Sequence, residues 1–454
     1  MPYQSQARNI QLAFVGDVML SRSLRPFTEP DYLRLVDLLR DNALAIGNLE
    51  TVVRHAEEGH PNFTMGTPMT TPPALLEELQ WMGIRLVSIA NNHATDYGVA
   101  GVEAMVAHLR EAGLKAAGAG SNLARARAPA YVDTAGGRVA LVAATSFYRP
   151  WNTASDQRPD APGRPGINPL GFGTTYVVRP EDFEALRRMS EGLGLAQERA
   201  RHARQFYSAA ELGERSEDRL TLFGQPFRRG EAYAVETRVN GFDAKANLQA
   251  IAEARRQSDW VVFSFHSHEF GDGGRLSAAT DADLTDPARF AVEFAHAAID
   301  AGADVVAGHG PHLTLGAEVY RGRPIFYSLG NFIFQNDTVE QFPAESYRRF
   351  GLGHEATPAD FLDARTDRDA RGFPAEAAFW EGCLARVGFE GGQLARLELH
   401  PLDLGFGAGR AERGRPLLAT GARADAILDR IERLSARHGT RFARTGESLV
   451  LAAR

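Results

Sequence analysis

Seven short apolar runs punctuate the chain, and each breaks into a polar cluster. Ile10–Val15 leads into Gly16-Asp17, Ala43–Ile46 into Gly47-Asn48-Leu49-Glu50, and Leu86–Ala90 into Asn91-Asn92-His93. Val139–Ala144 leads into Thr145-Ser146-Phe147, and Trp260–Phe265 into His266-Ser267-His268-Glu269. Asp304–Ala307 runs into Gly308-His309-Gly310-Pro311-His312, and Pro324–Leu329 into Gly330-Asn331-Phe332. β-Branched and apolar runs of this length predict buried strands. The intervening pattern predicts helices over Pro30–Asp41, Pro72–Met82, Val99–Ala112, Ala244–Arg256 and Pro287–Ala301. Strands alternating with helices predict an α/β fold. In such folds ligand chemistry gathers beyond the carboxyl ends of strands. The polar clusters fall at those ends, and that recurrence predicts an enzyme.

Two stretches interrupt the alternation. Residues 149–242 begin rich in Pro and Gly, from Arg149 to Gly173, and pass into a charged, helix-prone run, Pro180–Glu214. Residues 335–382 are polar, rich in Arg and Asp, and poorly periodic. Both read as insertions into a core made of residues 8–148 and 243–334. Residues 383–454 complete that core with a hairpin, Cys383–Leu399 turning at Glu390-Gly391-Gly392, and a helix near Ala422–His438. Long segments of this kind are candidates for lids or substrate loops.

Composition narrows the chemistry. The 454 residues are 44% hydrophobic, enough for a real core. A net charge of −7 argues against a broad nucleic-acid face. Lys115 and Lys245 are the only lysines and lie in no motif, so a pyridoxal Schiff base is not expected. The single cysteine, Cys383, excludes an internal disulfide and cysteine-pair chemistry. No apolar run approaches a membrane span. Met1–Asn9 lacks the apolar centre of an export signal, so a cytoplasmic protein without a membrane partner is expected.

The histidines sharpen this. Five of the 13 fall in three strand tips: His93, His266 and His268, and His309 and His312. Histidine is both the commonest transition-metal ligand and the usual acid or base near neutral pH. His266 and His268 share a strand face by period two. Glycine and proline around His309 and His312 fix a tight loop. His93 adds nothing to the Asx-rich turn Ala90–Gly98, so its presence there points to chemistry. Gly16-Asp17 and Asn48-Leu49-Glu50 are weak signals singly, and Asn331 is a candidate hydrogen-bond donor.

Taken in order, Val15–Leu20, Asn48–Glu50, Ala90–Gly98, His266 with Glu269-Phe270, Gly308–His312 and Tyr327–Phe332 resemble the CapA-like (poly-γ-glutamate capsule) family. That family is a branch of the calcineurin-like metallophosphatase superfamily. The resemblance implies two packed β-sheets flanked by helices, with metal at the strand ends. It also implies a metal cage of Asp17, Glu50, Asn92, His266 and His309, with His312 as an alternative to His309. His93 would donate a proton, with Asp96, His268 and His312 as further acid/base candidates. Met19 stands where the superfamily carries a histidine, and its last two histidines are normally closer together. One divalent ion is therefore expected, and Ca²⁺, Mn²⁺, Mg²⁺ and Zn²⁺ all suit such donors. Some CapA-like proteins are linked to ribosomal peptides, including lasso peptides, in which they invert a residue. With no Schiff-base lysine or cysteine pair, His/Asp pairs near a metal are the expected route to Cα epimerisation of a peptide. The competing expectations are metal-dependent hydrolysis of a γ-glutamyl amide or phosphoester, and a binding protein with a decayed site.

Overall fold

The apolar runs pair into two sheets packed on one core, in a computed structural model describing residues 9–62, 66–206, 216–271, 275–276 and 285–452. In the larger sheet Ile10–Met19, Leu44–Leu49, Ile84–Ser88 and Lys115–Ala117 run parallel, in that order. Antiparallel Glu381–Glu390 pairs on the other side of Ile10–Met19, followed outward by Gln393–Asp403 and Ser448–Ala452. In the second sheet Gly137–Thr145, Trp260–His266, Val305–His309 and Arg323–Phe326 run parallel, between antiparallel edges Ala130–Thr134 and Ala317–Tyr320.

Leu12, Phe14, Ile46 and Phe389 of one sheet share a buried cluster with Leu141, Val262, Val305 and Phe326 of the other. The rings of Phe14 and Phe326 lie 6.0 Å apart, and those of Trp260 and Phe389 4.9 Å apart. Each such side chain contributes about 1.5–3 kcal/mol by leaving water. Helix Gly421–Arg437 lays Ala424, Ile427, Leu428 and Ile431 into the same cluster, a stripe at helical spacing.

Helices Pro30–Arg40, Gly98–Glu111, Gly241–Arg255 and Arg289–Asp300 lie close to their expected places. The expected Pro72–Met82 helix opens instead as a 3₁₀ turn, Pro73–Leu75, before Leu76–Trp81. The prolines fix φ there, and the Leu75 N–H closes a tight turn onto the Pro72 carbonyl at 2.9 Å, the i to i+3 bond of a 3₁₀ turn. Strand Ile10–Met19 runs past the apolar Ile10–Val15 because both flanks are paired at Asp17 and Val18, by Leu44–Leu49 and by Asn331–Phe334. Pairing of this kind overrides local polarity.

The chain forms two compact units. One comprises Met1–Leu170, Phe242–His268 and Phe294–Arg454, and the other Gly171–Gly241 with Glu269–Glu293. The segment expected as an insertion, 149–242, is thus divided between them. Its first part packs in the first unit, where Gly166–Ile167 pairs with Ala119–Gly120 and Asn168 Nδ2 donates to the Ala143 carbonyl at 2.8 Å. The second unit holds a four-stranded sheet in the order Arg219–Leu222, Gln225–Arg229, Phe172–Val178, Ala234–Val239, with Phe183 of helix Pro180–Gly192 packed on Leu220 and Leu222. Helix Leu195–Phe206 follows; the rest of the expected Pro180–Glu214 run, and Met1–Asn9 except its last residue, lie outside the described residues. The 335–382 segment carries helices Ala344–Arg349 and Pro358–Thr366, the latter closed by a Thr357–Asp360 capping box. Among the described residues no helix is long and apolar enough to cross a membrane.

Candidate metal and proton-transfer site

The parallel strands of both sheets deliver their carboxyl ends to one place. Asp17 lies on Ile10–Met19, Asn48 and Glu50 at the end of Leu44–Leu49, and Asn91-Asn92-His93 beyond Ile84–Ser88. His266 closes Trp260–His266, and His309 closes Val305–His309. Gly16 permits the approach: a Cβ there would sit 1.8 Å from the Gly330 carbonyl oxygen. The Asp17 N–H donates to that same oxygen at 3.0 Å. Gly310, at φ +119°, turns its own N–H onto Asp17 Oδ2 at 3.1 Å.

Two groups of ligand atoms result. Asp17, His266 and His309 each offer one atom, all within 4.8 Å of one another, and Glu50, His268 and His312 do the same. Asn92, expected in the cage, lies beside it with Oδ1 2.7 Å from His266 Nε2. Asn48 is the clamp between strands: Nδ2 donates to Asp17 Oδ1 at 2.8 Å and lies 3.3 Å from His266 Nδ1, while its Oδ1 accepts from Asn91 at 3.1 Å. His309 Nε2 sits 2.6 Å from Ser264 Oγ, leaving Nδ1 facing His266 Nδ1 at 3.0 Å.

Glu50 makes the case for a cation. It is wholly buried, and among the described residues neither carboxylate oxygen has a hydrogen-bond partner. Buried polar groups are normally paired, and an orphaned carboxylate more so. His266 Nε2, at 3.6 Å, and the Nε2 of His93, at 3.9 Å, flank Oε1; His312 Nδ1, at 3.9 Å, flanks Oε2. An orphaned carboxylate beside clustered imidazoles fits a divalent ion.

Electrostatics agree with that fit. Burial, and next the nearby Asp17 carboxylate, raise the Glu50 pKa well above its ordinary value. For Asp17 burial pulls upward, but hydrogen bonding and charge from His312, with help from His309 and Asn48, prevail and lower it. Burial, and then mutual repulsion with neighbouring imidazoles, hold His266 and His268 well below the usual histidine range. Burial takes His309 down to about 4. Neutral imidazoles are the form that binds metal.

Two histidine–carboxylate couples border the cage. His93 Nδ1 lies 2.6 Å from Asp96 Oδ2, which also accepts the Met69 N–H at 2.8 Å. An acceptor so placed keeps the proton on Nδ1 and turns the Nε2 lone pair towards Glu50. His312 Nδ1 lies 3.0 Å from Asn331 Oδ1 and 3.3 Å from Asp17 Oδ2. Asn331 Nδ2 donates to the Phe379 carbonyl at 2.8 Å, so the amide oxygen is the atom offered to His312. His312 itself adopts φ +59°, an uncommon backbone for a non-glycine residue that aims the ring inward. All nine residues singled out as site candidates thus meet at or beside one centre. Reasoning from sequence missed Asn48 as a clamp, Ser264, and the rings of Phe147 and Phe373, whose centroids lie 4.3 Å from His268 and 5.5 Å from His312. Asn48 and Phe147 sat inside noted clusters; Ser264 and Phe373 carry no local signal.

The profile of a family described as bacterial capsule synthesis protein PGA_cap matches residues 11–336. The chain is 34% identical over 443 residues to the uncharacterized protein y4sH of Sinorhizobium fredii, covering 94% of this chain and 90% of that one. It is 24% identical over 372 residues to the PGA biosynthesis protein CapA of Bacillus subtilis, covering 78% and 72%. It is 23% identical over 335 residues to the capsule biosynthesis protein CapA of Bacillus anthracis, covering 72% and 60%.

Proposed function

Because the chain belongs to the bacterial capsule synthesis PGA_cap family, we propose that its strand-end site is that of a metal-assisted enzyme, one that inverts a Cα centre in a peptide. One observation carries the reading: the couples His93–Asp96 and His312–Asp17 approach the two different oxygens of Glu50. Epimerisation requires one group to remove the Cα proton and another to return a proton from the opposite side. His93, its Nδ1 proton held by Asp96, takes the proton at Nε2. His312, braced by Asn331 and Asp17, returns one.

Asp17, His266 and His309 would hold the ion, with Glu50 and Asn92 completing the shell. Such an ion, when bound, polarises a substrate carbonyl and steadies enolate-like charge. Asn48 and Ser264 fix the ring orientations on which both roles depend. The buried Phe334 packs beside His312, and Phe147 beside His268, so apolar walls limit water at the reacting centre. We place the reaction in the cytoplasm, where ribosomal peptides are made; cell fractionation checks that compartment.

The test is isotopic. Candidate peptides encoded near the gene are incubated with the protein in D₂O, and deuterium is located by fragmentation mass spectrometry. Deuterium at one Cα, with inversion and no cleavage, is the expected result. Release of a fragment, glutamate or phosphate without exchange would replace epimerisation by hydrolysis. That second reading is favoured by one specific feature: two ligand groups share the site, an arrangement suited to two ions. Under it His93 protonates the leaving group.

A further inference from the structure

Segment 335–382 borders the site at two places. Phe373 meets the His312 ring edge-on, with centroids 5.5 Å apart. On helix Pro358–Thr366, Arg365 donates its Nη1–H to Thr67 Oγ1 at 2.7 Å. Thr67 stands shortly before Met69, whose N–H donates to Asp96 Oδ2, the oxygen that also holds His93.

The charge on Arg365 is not balanced locally. Several other half-buried or buried guanidiniums are: Arg127 by Asp243 at 2.9 Å, Arg386 by Asp41 at 2.8 Å, and Arg413 by Asp337 at 2.6 Å and Asp369 at 2.8 Å, while half-buried Arg199 donates to the Thr221 carbonyl. Arg54 directs its donors to the carbonyls of Glu58 and Ala56 and lies over the Tyr97 ring. Among the described residues, Arg365 has one neutral hydroxyl and no carboxylate at ion-pair distance. Asp337 acts favourably on its charge but pairs with Arg413 at 2.6 Å, and Arg349 adds further positive charge. The residue is half-buried. A partly desolvated guanidinium without a counter-charge is costly, and its planar fork matches a carboxylate.

We propose that Arg365 binds a carboxylate of the substrate, on a track that begins at His93 and runs along segment 335–382. The proposal rests on the reading of His93–Asp96 as the reacting end, but its test does not require turnover.

The full chain is titrated calorimetrically with N-acetyl-triglutamate and N-acetyl-triglutamine, each as the free acid and as the C-terminal amide. Wild type is expected to bind the triglutamate acid about tenfold more tightly than the triglutamine amide, the scale of a charge-assisted hydrogen bond. Arg365→Gln erases that preference, and Arg365→Lys retains part of it. Loss of the preference on amidation alone assigns the anchor to a C-terminus; loss on the Glu-to-Gln change assigns it to a side chain. Equal binding of all four peptides by wild type, absence of binding included, overturns the proposal. So does a preference that survives in Arg365→Gln while thermal melts show both variants folded. A failed deuterium exchange with an intact Arg365-dependent preference would sink the epimerase reading alone.

Discussion

His93 is held from one side only, and that asymmetry gives it a direction. Asp96 Oδ2 takes both the His93 ring and the Met69 amide, so the couple is oriented before any substrate arrives. Asp96→Asn offers an amide that can present either hydrogen or oxygen, and the tautomer of His93 is no longer imposed. Deuterium incorporation should fall by about 10²–10⁴-fold, the usual worth of a positioned acid or base, with the thermal melt little changed. A rate within threefold of wild type would remove this couple from the mechanism. The site was unevenly legible from sequence at this scale. His93, His266, His268, His309 and His312 announce themselves because histidine at a strand tip has no better local use. Asn48 and Ser264 act only across strands, on atoms from Asp17, His266 and His309, and no neighbouring residue in the chain signals that.

Strand Ile10–Met19 shows what an element contributes beyond its side chains. Both of its edges are paired near its end, by Leu44–Leu49 and by Asn331–Phe334, and Gly16 is the point at which Gly330 comes closest. A Cβ at 1.8 Å from a carbonyl oxygen cannot be relieved by a rotamer change, because both atoms belong to backbone. Gly16→Ala is therefore expected to cost about 3 kcal/mol, read as a lowered urea midpoint, and to displace Asp17 enough to weaken metal binding. An unchanged midpoint with unchanged metal affinity would show the approach to be unimportant. The apolar runs revealed where strands start, since burial governs those positions. They understated the ends of Ile10–Met19 and Leu44–Leu49, whose last residues stay extended through pairing with distant partners, and overstated those of Ile84–Ser88 and Arg323–Phe326. The 3₁₀ opening at Pro73–Leu75 was readable in principle from Pro72-Pro73.

For the molecule as a whole, the buried imidazoles set a pH dependence. His266, His268 and His309 titrate below their ordinary 6.5 in the folded state. The unfolded chain therefore binds protons there that the folded one refuses, and stability falls as pH drops from 6.5 towards about 4, where His309 protonates. Glu50 acts oppositely: its raised folded value favours the fold below 4.5 and withdraws that support as pH rises. Asp17, lowered beneath 3.8, adds stability above that value which is lost below it. Three imidazoles outweigh one carboxyl, so the melting temperature of the metal-free protein should decline steadily between pH 7 and pH 5. A flat or rising profile would contradict three neutral buried histidines.

Asp17 is tied to the Gly310 amide, 293 positions further along the chain. Synthesis proceeds from the N-terminus, so Asp17, Glu50 and His93 leave the ribosome long before His309 and His312 exist. No nascent intermediate owns the cage. The full donor set exists only once the chain has been made past His312, so metallation is a late step, coupled to the closing of the last strands on the first.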